Sequence, residues 1–324
     1  MKPELSVIIC TFNNSSFLKG CLSCFVEQTL DFESCYELLV IDNNSTDDTK
    51  DIVDKFLQSE RIPNLKYIFE PQPGLTNARL AGVKHASCNW IAFIDDDVRV
   101  QTDWIQSAIT FGQSHPKAGA VSGRIRLRYL EPPSTAALMC ESALCKVDYG
   151  TEEFHFQSEE PAIRLAGAAI LFQKKALEES GWLEKRYLTD RTGKSLSSGG
   201  DTEMIMRVKN AGWEIWYTPT LQAEHLIPPH RTTVPYLCRL HRGLARTSAQ
   251  LRAISLGGKV PFSFQLGHLF KDLSFTTRRI LAWIFHDLIK GQSTDGKRFI
   301  QIHEGLGRIE SCITFLLAPI KFSE

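Results

Sequence analysis

The sequence carries no excess of charge of either sign: 37 Lys and Arg balance 37 Asp and Glu over 324 residues. A balanced chain has no whole-molecule field to draw nucleic acid, so no nucleic-acid partner is expected. Also missing are a G-x-G-x-x-G fingerprint and a G-x-x-x-x-G-K-[ST] loop, which removes the main support for ordinary dinucleotide or P-loop sites. The nine cysteines are odd in number and follow no repeating spacing, which suits a reducing compartment better than a disulfide framework. Cys21-Leu-Ser-Cys24 has no second pair and sits in a helical apolar pattern, so it reads as structural. Met1 to Leu5 show no signal-peptide pattern, and a cytoplasmic location is expected, with the inner membrane face as its extension. A hydrophobic content of 43% supports a real core.

Against this background one stretch stands out. Trp90-Ile-Ala-Phe-Ile-Asp95-Asp96-Asp97-Val98 is a short apolar run ending in three carboxylates. The run reads as a buried strand whose acidic end reaches the sheet edge, where open α/β sheets bind ligands. Three adjacent Asp repel one another unless a cation or hydrogen-bond donors compensate. Mg2+ or Mn2+ bridging a phosphorylated substrate is one reading, and a solvated turn capping the next helix is the other.

The rest of the first hundred residues repeats the pattern. Apolar runs at Leu5–Cys10, Glu37–Ile41 and Leu65–Phe69 predict strands, and helical spacing predicts helices around Phe17–Val26, Ile52–Leu57 and Leu75–Ala86. This alternation predicts a mainly parallel sheet with helices on both faces. Polar turns after the first, second and fourth strands converge on one edge, where helix N-termini offer amides to phosphate. Ala118–Gly123 and Leu165–Phe172 read as further strands. Residues 124–161 show no period and are expected to be variable structure on the sugar or acceptor side. A helix starting near Asp201 ends at Asn210-Ala211-Gly212.

Ser6 to Asn13, Val40 to Thr49, Gly74-Leu-Thr-Asn-Ala-Arg79 and Phe93 to Asp97 resemble, in order, the successive motifs of the family-2 glycosyltransferases. The resemblance implies a GT-A fold, Rossmann-like, and a nucleotide-sugar donor, with a UDP-sugar favoured over GDP- or dTDP-sugars. By this resemblance Thr11 and Asn13 line the nucleotide pocket, Asp42 bonds the base and Arg79 lies near the phosphates. Asp95 and Asp97 form a metal-binding DxD, Asp97 coordinating Mn2+ or Mg2+ directly, and Asp95 and Asp96 count with the nucleotide-binding residues. Cys10 stands where many members have Pro, and Leu80 where many have Asn. Taken singly, Thr11 and Asn13 read equally as caps and Asp42 as a turn former.

Gly199-Gly200-Asp201-Thr202-Glu203, with Arg207, Trp213, Tyr217 and His225 after it, resembles the family's second half. The resemblance makes Asp201 the general base, ahead of Glu203, and His225 a further metal ligand. Gly200 stands where many members have Glu. Carboxylates in a first helical turn also have a routine explanation in the helix dipole. His230 and Arg231 are candidate contacts to the acceptor or the diphosphate. The absence of Q-x-x-R-W implies one sugar added per binding event. Inverting transfer to a glycan or lipid-linked acceptor in cell-surface synthesis is the implied reaction. A catalytically silent sugar-nucleotide or glycan-binding protein on this scaffold is the alternative, and a nucleotidyltransferase is the third reading.

From His225 through Lys271 there is no Asp or Glu, while Arg231, Arg239, Arg242, Arg246, Arg252, Lys259 and Lys271 are basic. Arg239, Arg242 and Arg246 share a helical face, which reads as a solvated helix, a lipid-pyrophosphate site or an anionic membrane contact. A helical apolar stripe runs from Phe262 to Leu288, too interrupted by charge to span a bilayer. Packing on the catalytic domain, a homodimer and peripheral membrane association are its three expectations. The expected organisation is a nucleotide-sugar half at 1–123, an acceptor and catalytic half at 124–235, and a helical extension at 236–324.

Overall fold

Leu5–Thr11 (β1) and Tyr36–Asp42 (β2) are buried along nearly their whole lengths, as strands covered on both faces must be. The computed structural model describes residues 3–31, 35–157, 165–188, 190, 198–258, 260–291 and 296–318. Ser197, Lys259 and residues 158–161 of the aperiodic stretch lie outside these. Leu65–Phe69 (β3) pairs parallel with β2, and Trp90–Asp95 (β4) pairs parallel with the other side of β1. Ser15–Val26 (α1), Thr49–Ser59 (α2) and Leu75–His85 (α3) make the crossovers. α1 buries Leu18, Cys21, Leu22 and Phe25 on one face. Burial drives the Cys21 thiol well above its usual range, which suits packing rather than redox chemistry.

Val98–Val100 (β5), Trp104–Ser114 (α4) and Ala118–Ser122 (β6) follow, then Ile125–Tyr129 (β7), Thr135–Met139 (α5) and Phe154–His155 (β8). Ala169–Gln173 (β9), Lys174–Glu179 (α6), Gly200–Asn210 (α7), Glu214–Tyr217 (β10) and Ala223–Ile227 (β11) complete the sheets. Among the described residues the main sheet runs β3-β2-β1-β4-β9-β6-β10-β8, and a smaller one runs β5-β11-β7. The first four strands are parallel as expected. β9 is antiparallel to both β4 and β6, so the second half is mixed. β9 starts later than its apolar run because Gly167 and Ala168 form a turn, whose Ala168 carbonyl accepts the Asp95 amide (2.9 Å).

The chain divides into two units, residues 1–128, 145–185 and 207–226 in one and residues 129–144, 186–206 and 227–324 in the other. The second unit contains Val234–Ala245 (α8), Ser248–Ser255 (α9), Phe262–Trp283 (α10) and Lys297–Leu317 (α11). Here the expected basic face is partly neutralised: Arg242 (3.0 Å) and Arg246 (2.6 Å) both donate to Glu310 of α11.

A buried carboxylate ties the sheet at its other end. One oxygen of Glu37 accepts from Ser6 Oγ (2.6 Å), the Ser87 amide (2.7 Å) and Ser87 Oγ (2.8 Å), and Lys66 Nζ meets the other at 2.8 Å. Burial alone would raise its pKa, but the Lys66 and serine hydrogen bonds outweigh it and hold it down to about 2. A folded pKa below the unfolded one gives stability that is complete above the ordinary carboxylate range and lost as pH falls toward about 2. Glu37→Gln should lower stability at neutral pH by on the order of 2 kcal/mol and flatten the loss between about pH 5 and 2. Thermal melts across that range check this, and an unchanged acid slope would contradict it.

Candidate active site

The C-terminal ends of the parallel strands form a hydrogen-bonded rim in the first unit. Asn13 and Asn44 hold positive φ, 50° and 65°, a left-handed conformation that Asn tolerates better than most residues. The turn at Asn13 lets its Oδ1 accept the Thr46 amide (2.7 Å) while its own amide donates to Ser45 Oγ (3.0 Å). Asp47 accepts the Ser15 amide (3.0 Å), and Asn43 Oδ1 accepts the Gly74 amide (2.6 Å). Loops after β1, β2 and β3 are therefore tied to each other.

Asp42, 2% exposed, accepts the Ser45 amide on one oxygen (2.9 Å) and the Tyr67 hydroxyl on the other (2.7 Å). Each oxygen keeps a further lone pair. Arg79 is buried on α3, its guanidinium 5.8 Å from the centre of the Phe93 ring. The Cys10 thiol is pushed up to about 12 by burial, with Arg79 opposing the rise. It is a neutral, inert neighbour of the acidic cluster.

The triple Asp divides its labour. Asp96 turns back into the protein, accepting from Thr11 Oγ1 and Asn14 Nδ2, both at 2.6 Å. Burial and the neighbouring Asp97 push its pKa well up despite those two hydrogen bonds. Asp97 is 5% exposed, and its Oδ2 lies 3.3 Å from Nε2 of His225. The register of the small sheet makes this meeting: β11 pairs His225 with Val98, and the Leu226 amide donates to the Asp97 carbonyl (3.0 Å). Alternation along β11 turns Ala223, His225 and Ile227 inward.

Asp97 and His225 thus present one oxygen and one nitrogen donor side by side, a set that suits Mn2+ and admits Mg2+. Among the described residues no group of three or more His, Cys, Asp or Glu is arranged to hold a metal ion. Two protein donors still fit a cation that takes its remaining ligands from phosphate oxygens and water.

Asp201, Glu203, His230 and Arg231 belong to the second unit. Glu203 is 1% exposed, and its two oxygens accept the amides of Tyr187 (2.9 Å) and Leu188 (2.8 Å). That clamp occupies it structurally. Asp201 is half-buried and its Oδ1 accepts the adjacent Thr202 amide (2.9 Å). Beside it, the Gly200 amide donates to Asp190 Oδ1 (2.8 Å), and a Cβ at position 200 would fall 2.1 Å from Asp190 Oδ2. Asp190 therefore fills the space that a side chain at 200 would enter. His230 is exposed in the 3-10 turn Pro229–Thr232, 6.0 Å edge-on from the Tyr236 ring. Arg231 anchors the same turn through its amide to the Pro228 carbonyl (2.9 Å).

Sequence reasoning gave no role to Asn14, Asn43, Ser45, Asp47, Tyr67 or Asp190. Asn43, Ser45 and Asp47 lie inside the quoted motifs and Asn14 directly follows one, where a polar loop residue could have been read as a loop-to-loop tie. Nothing in the sequence marks Tyr67 or Asp190.

Residues 6–178 match Glycosyl transferase family 2. Glycosyltransferase AglE of Haloferax volcanii is 35% identical over 109 residues, which is 33% of this chain and 35% of that protein. The poly-beta-1,6-N-acetyl-D-glucosamine synthase of Staphylococcus epidermidis is 25% identical over 234 residues, 69% of this chain and 50% of that protein. The chain covers only 35%, 28% and 26% of the length of the three curated relatives it matches first. Among solved structures, the mannosyltransferase PcManGT of Pyrobaculum calidifontis, in complex with GDP-Man and Mn2+, superposes with a TM-score of 0.59 at 16% identity. That match covers 99% of this chain and 89% of the other. S. aureus TarS 1-349 in complex with UDP-GlcNAc gives 0.53 at 14% identity, covering 95% of this chain and 90% of that one. Likeness at such identities establishes the shared mixed α/β fold, and the family match over more than half the chain establishes the lineage: this chain belongs to glycosyl transferase family 2.

Proposed function

We propose that the chain transfers a sugar from a nucleoside diphosphate to a hydroxyl acceptor with inversion, adding one sugar per encounter. The meeting of Asp97 and His225 at 3.3 Å, at the end of the triple Asp, carries this reading. In it, Thr11, Asn13 and Asp42 surround the nucleoside, Arg79 and Asp95 stand near the diphosphate, and Asp96 stays engaged with Thr11 and Asn14. Asp97 and His225 would hold the divalent cation, which when bound supplies positive charge against the departing diphosphate.

Asp201 takes the proton of the acceptor hydroxyl as that oxygen bonds to the anomeric carbon. The bond from that carbon to the diphosphate breaks as the new one forms, so the nucleoside diphosphate leaves from the opposite face. Attack from the face opposite the leaving group inverts the centre. Glu203, held by two amides, supports the α7 start rather than the chemistry. The resemblance makes His230 and Arg231 further candidates to contact the diphosphate or the acceptor. Synthase names among the relatives favour a glycan acceptor in polysaccharide assembly, with a lipid-linked glycan as its variant. UDP-sugars are favoured as donors, and GDP-mannose comes next because the PcManGT complex contains it.

The second reading, a silent binding protein, draws on Gly200, which leaves α7 with fewer acids than related chains carry. One experiment addresses both. The full chain is offered UDP-, GDP- and dTDP-sugars with Mn2+ or Mg2+, with titration calorimetry for binding and nucleotide release for turnover. One donor class should bind and release nucleoside diphosphate slowly, with EDTA abolishing both. Binding without release, even with glycan acceptors present, would favour the silent protein; no binding of any donor would sink the proposal.

A further inference from the structure

Helix α10 buries polar side chains and exposes large apolar ones. Its most deeply buried side chains are polar: Gln265, Asp272 and Thr276 are 0%, 6% and 3% exposed. Gln265 donates to the Ala249 carbonyl (3.2 Å) and accepts from Arg252 (3.3 Å). Asp272 accepts from the Cys312 thiol (3.7 Å) and lies 4.0 Å from Arg308, while Thr276 donates to the Asp272 carbonyl (2.7 Å). Of the apolar stripe expected to pack inward, Leu269 does so, against Ala249, Ala253, Cys312 and Phe315.

Several of the outward side chains are large and apolar. Phe270 is 63% exposed and Leu281 60%, and the stripe continues through the π-helical turn Ile284–Ile289 with Leu288 at 62%. Phe270, Leu273, Thr277, Leu281, Ile284 and Leu288 recur at three- and four-residue steps, which places them on one face. Among the described residues no helix is long and apolar enough to cross a membrane.

Charge identifies what covers this face. Between Phe262 and Lys290 the only acids are Asp272, which is buried, and Asp287, which pairs with Arg298 at 2.7 Å. Lys271, Arg278 and Lys290 are exposed along the same span. Two copies of the face would bring like charges together, whereas an anionic surface complements it. An apolar stripe flanked by basic residues and free of exposed acids has the chemistry of a helix lying in a bilayer interface.

We infer that the outward face of α10 and of the turn after it lies in the headgroup region of a membrane carrying anionic lipid. This is independent of the transfer reaction. The test is flotation of the full chain with vesicles of phosphatidylcholine alone or mixed with phosphatidylglycerol. The chain should float with the mixed vesicles, less with the neutral ones, and less again as salt rises. Replacing Phe270, Leu281 and Leu288 together by Ser should cut binding by about tenfold or more. The charge reversal Lys271→Glu with Arg278→Glu, at exposed positions, should cut binding by on the order of tenfold on mixed vesicles and leave neutral ones unaffected. Circular dichroism confirms that each variant is folded. A folded wild type that floats with neither vesicle overturns the inference, as does binding indifferent to both sets of substitutions. A wild type that does not float but is a dimer, made monomeric by the serine variant, would assign the face to a second copy instead.

Discussion

Asp201→Asn should abolish sugar transfer while leaving donor binding in place. The half-buried carboxylate spends one oxygen on the Thr202 amide, and the amide oxygen of Asn can accept that same bond, so the start of α7 should survive. What Asn cannot do is take a proton from the acceptor. Loss of a general base removes about 10²–10⁴-fold in rate, and the deficit should appear in kcat at saturating donor and acceptor, with the donor Kd unchanged. Glu203→Gln provides the contrast. Glu203 accepts two amides, from Tyr187 and Leu188, and Gln has one acceptor oxygen, so this variant should lose stability before it loses chemistry. Wild-type kcat in Asp201→Asn would place the base elsewhere.

The second large effect belongs to Asp97→Ala. This change removes the oxygen that faces His225 at 3.3 Å and should uncouple donor affinity from Mn2+ and Mg2+. Loss of a direct ligand should exceed the roughly 10–100-fold cost of losing an outer partner of a metal site. Calorimetry of the donor with and without cation reads it directly. His225→Ala should leave a weaker response that discriminates less between Mn2+ and Mg2+, because imidazole is the donor that favours the transition metal. Donor affinity in Asp97→Ala that still rises with Mn2+ as in the wild type would remove the aspartate from the cation site.

The two variants separate the steps of the reaction. Asp97→Ala should fail before the donor is held, and Asp201→Asn after it.

Much of the first unit was legible because its signals are local. The apolar runs that became β1, β2 and β4 are continuous, and each stops at a polar cluster, so both strand and edge can be read from a window of about ten residues. Leu165 to Ala168 misled, since small apolar residues suit a turn that brings a carbonyl against Asp95 as well as they suit a strand. The mixed half of the sheet was hidden for a related reason: whether β9 runs parallel or antiparallel depends on partners far along the chain. The partial neutralisation of the basic face of α8 is not legible locally, because Glu310 lies 64 residues beyond Arg246, outside any local window. Glu203 and Asp201 look alike in sequence, and only the amides arriving from Tyr187 and Leu188 tell them apart. In α10 the period was legible and the direction was not, because a helical stripe predicts that one face differs from the other without saying which faces the protein.

The ties among Asn13, Thr46, Asn43, Gly74, Asp47 and Ser15 bear on how this scaffold could be diversified. Each tie uses a side chain on one loop to hold the backbone of another, so Asn13, Asn43 and Asp47 must keep their acceptor oxygens while their partners need only a backbone amide. A library aimed at new substrate preference would do best to fix them as a frame and randomise the residues they leave facing outward, such as Phe12, which is 45% exposed directly before Asn13. Variation would then be spent on recognition instead of on repairing the loops that present it.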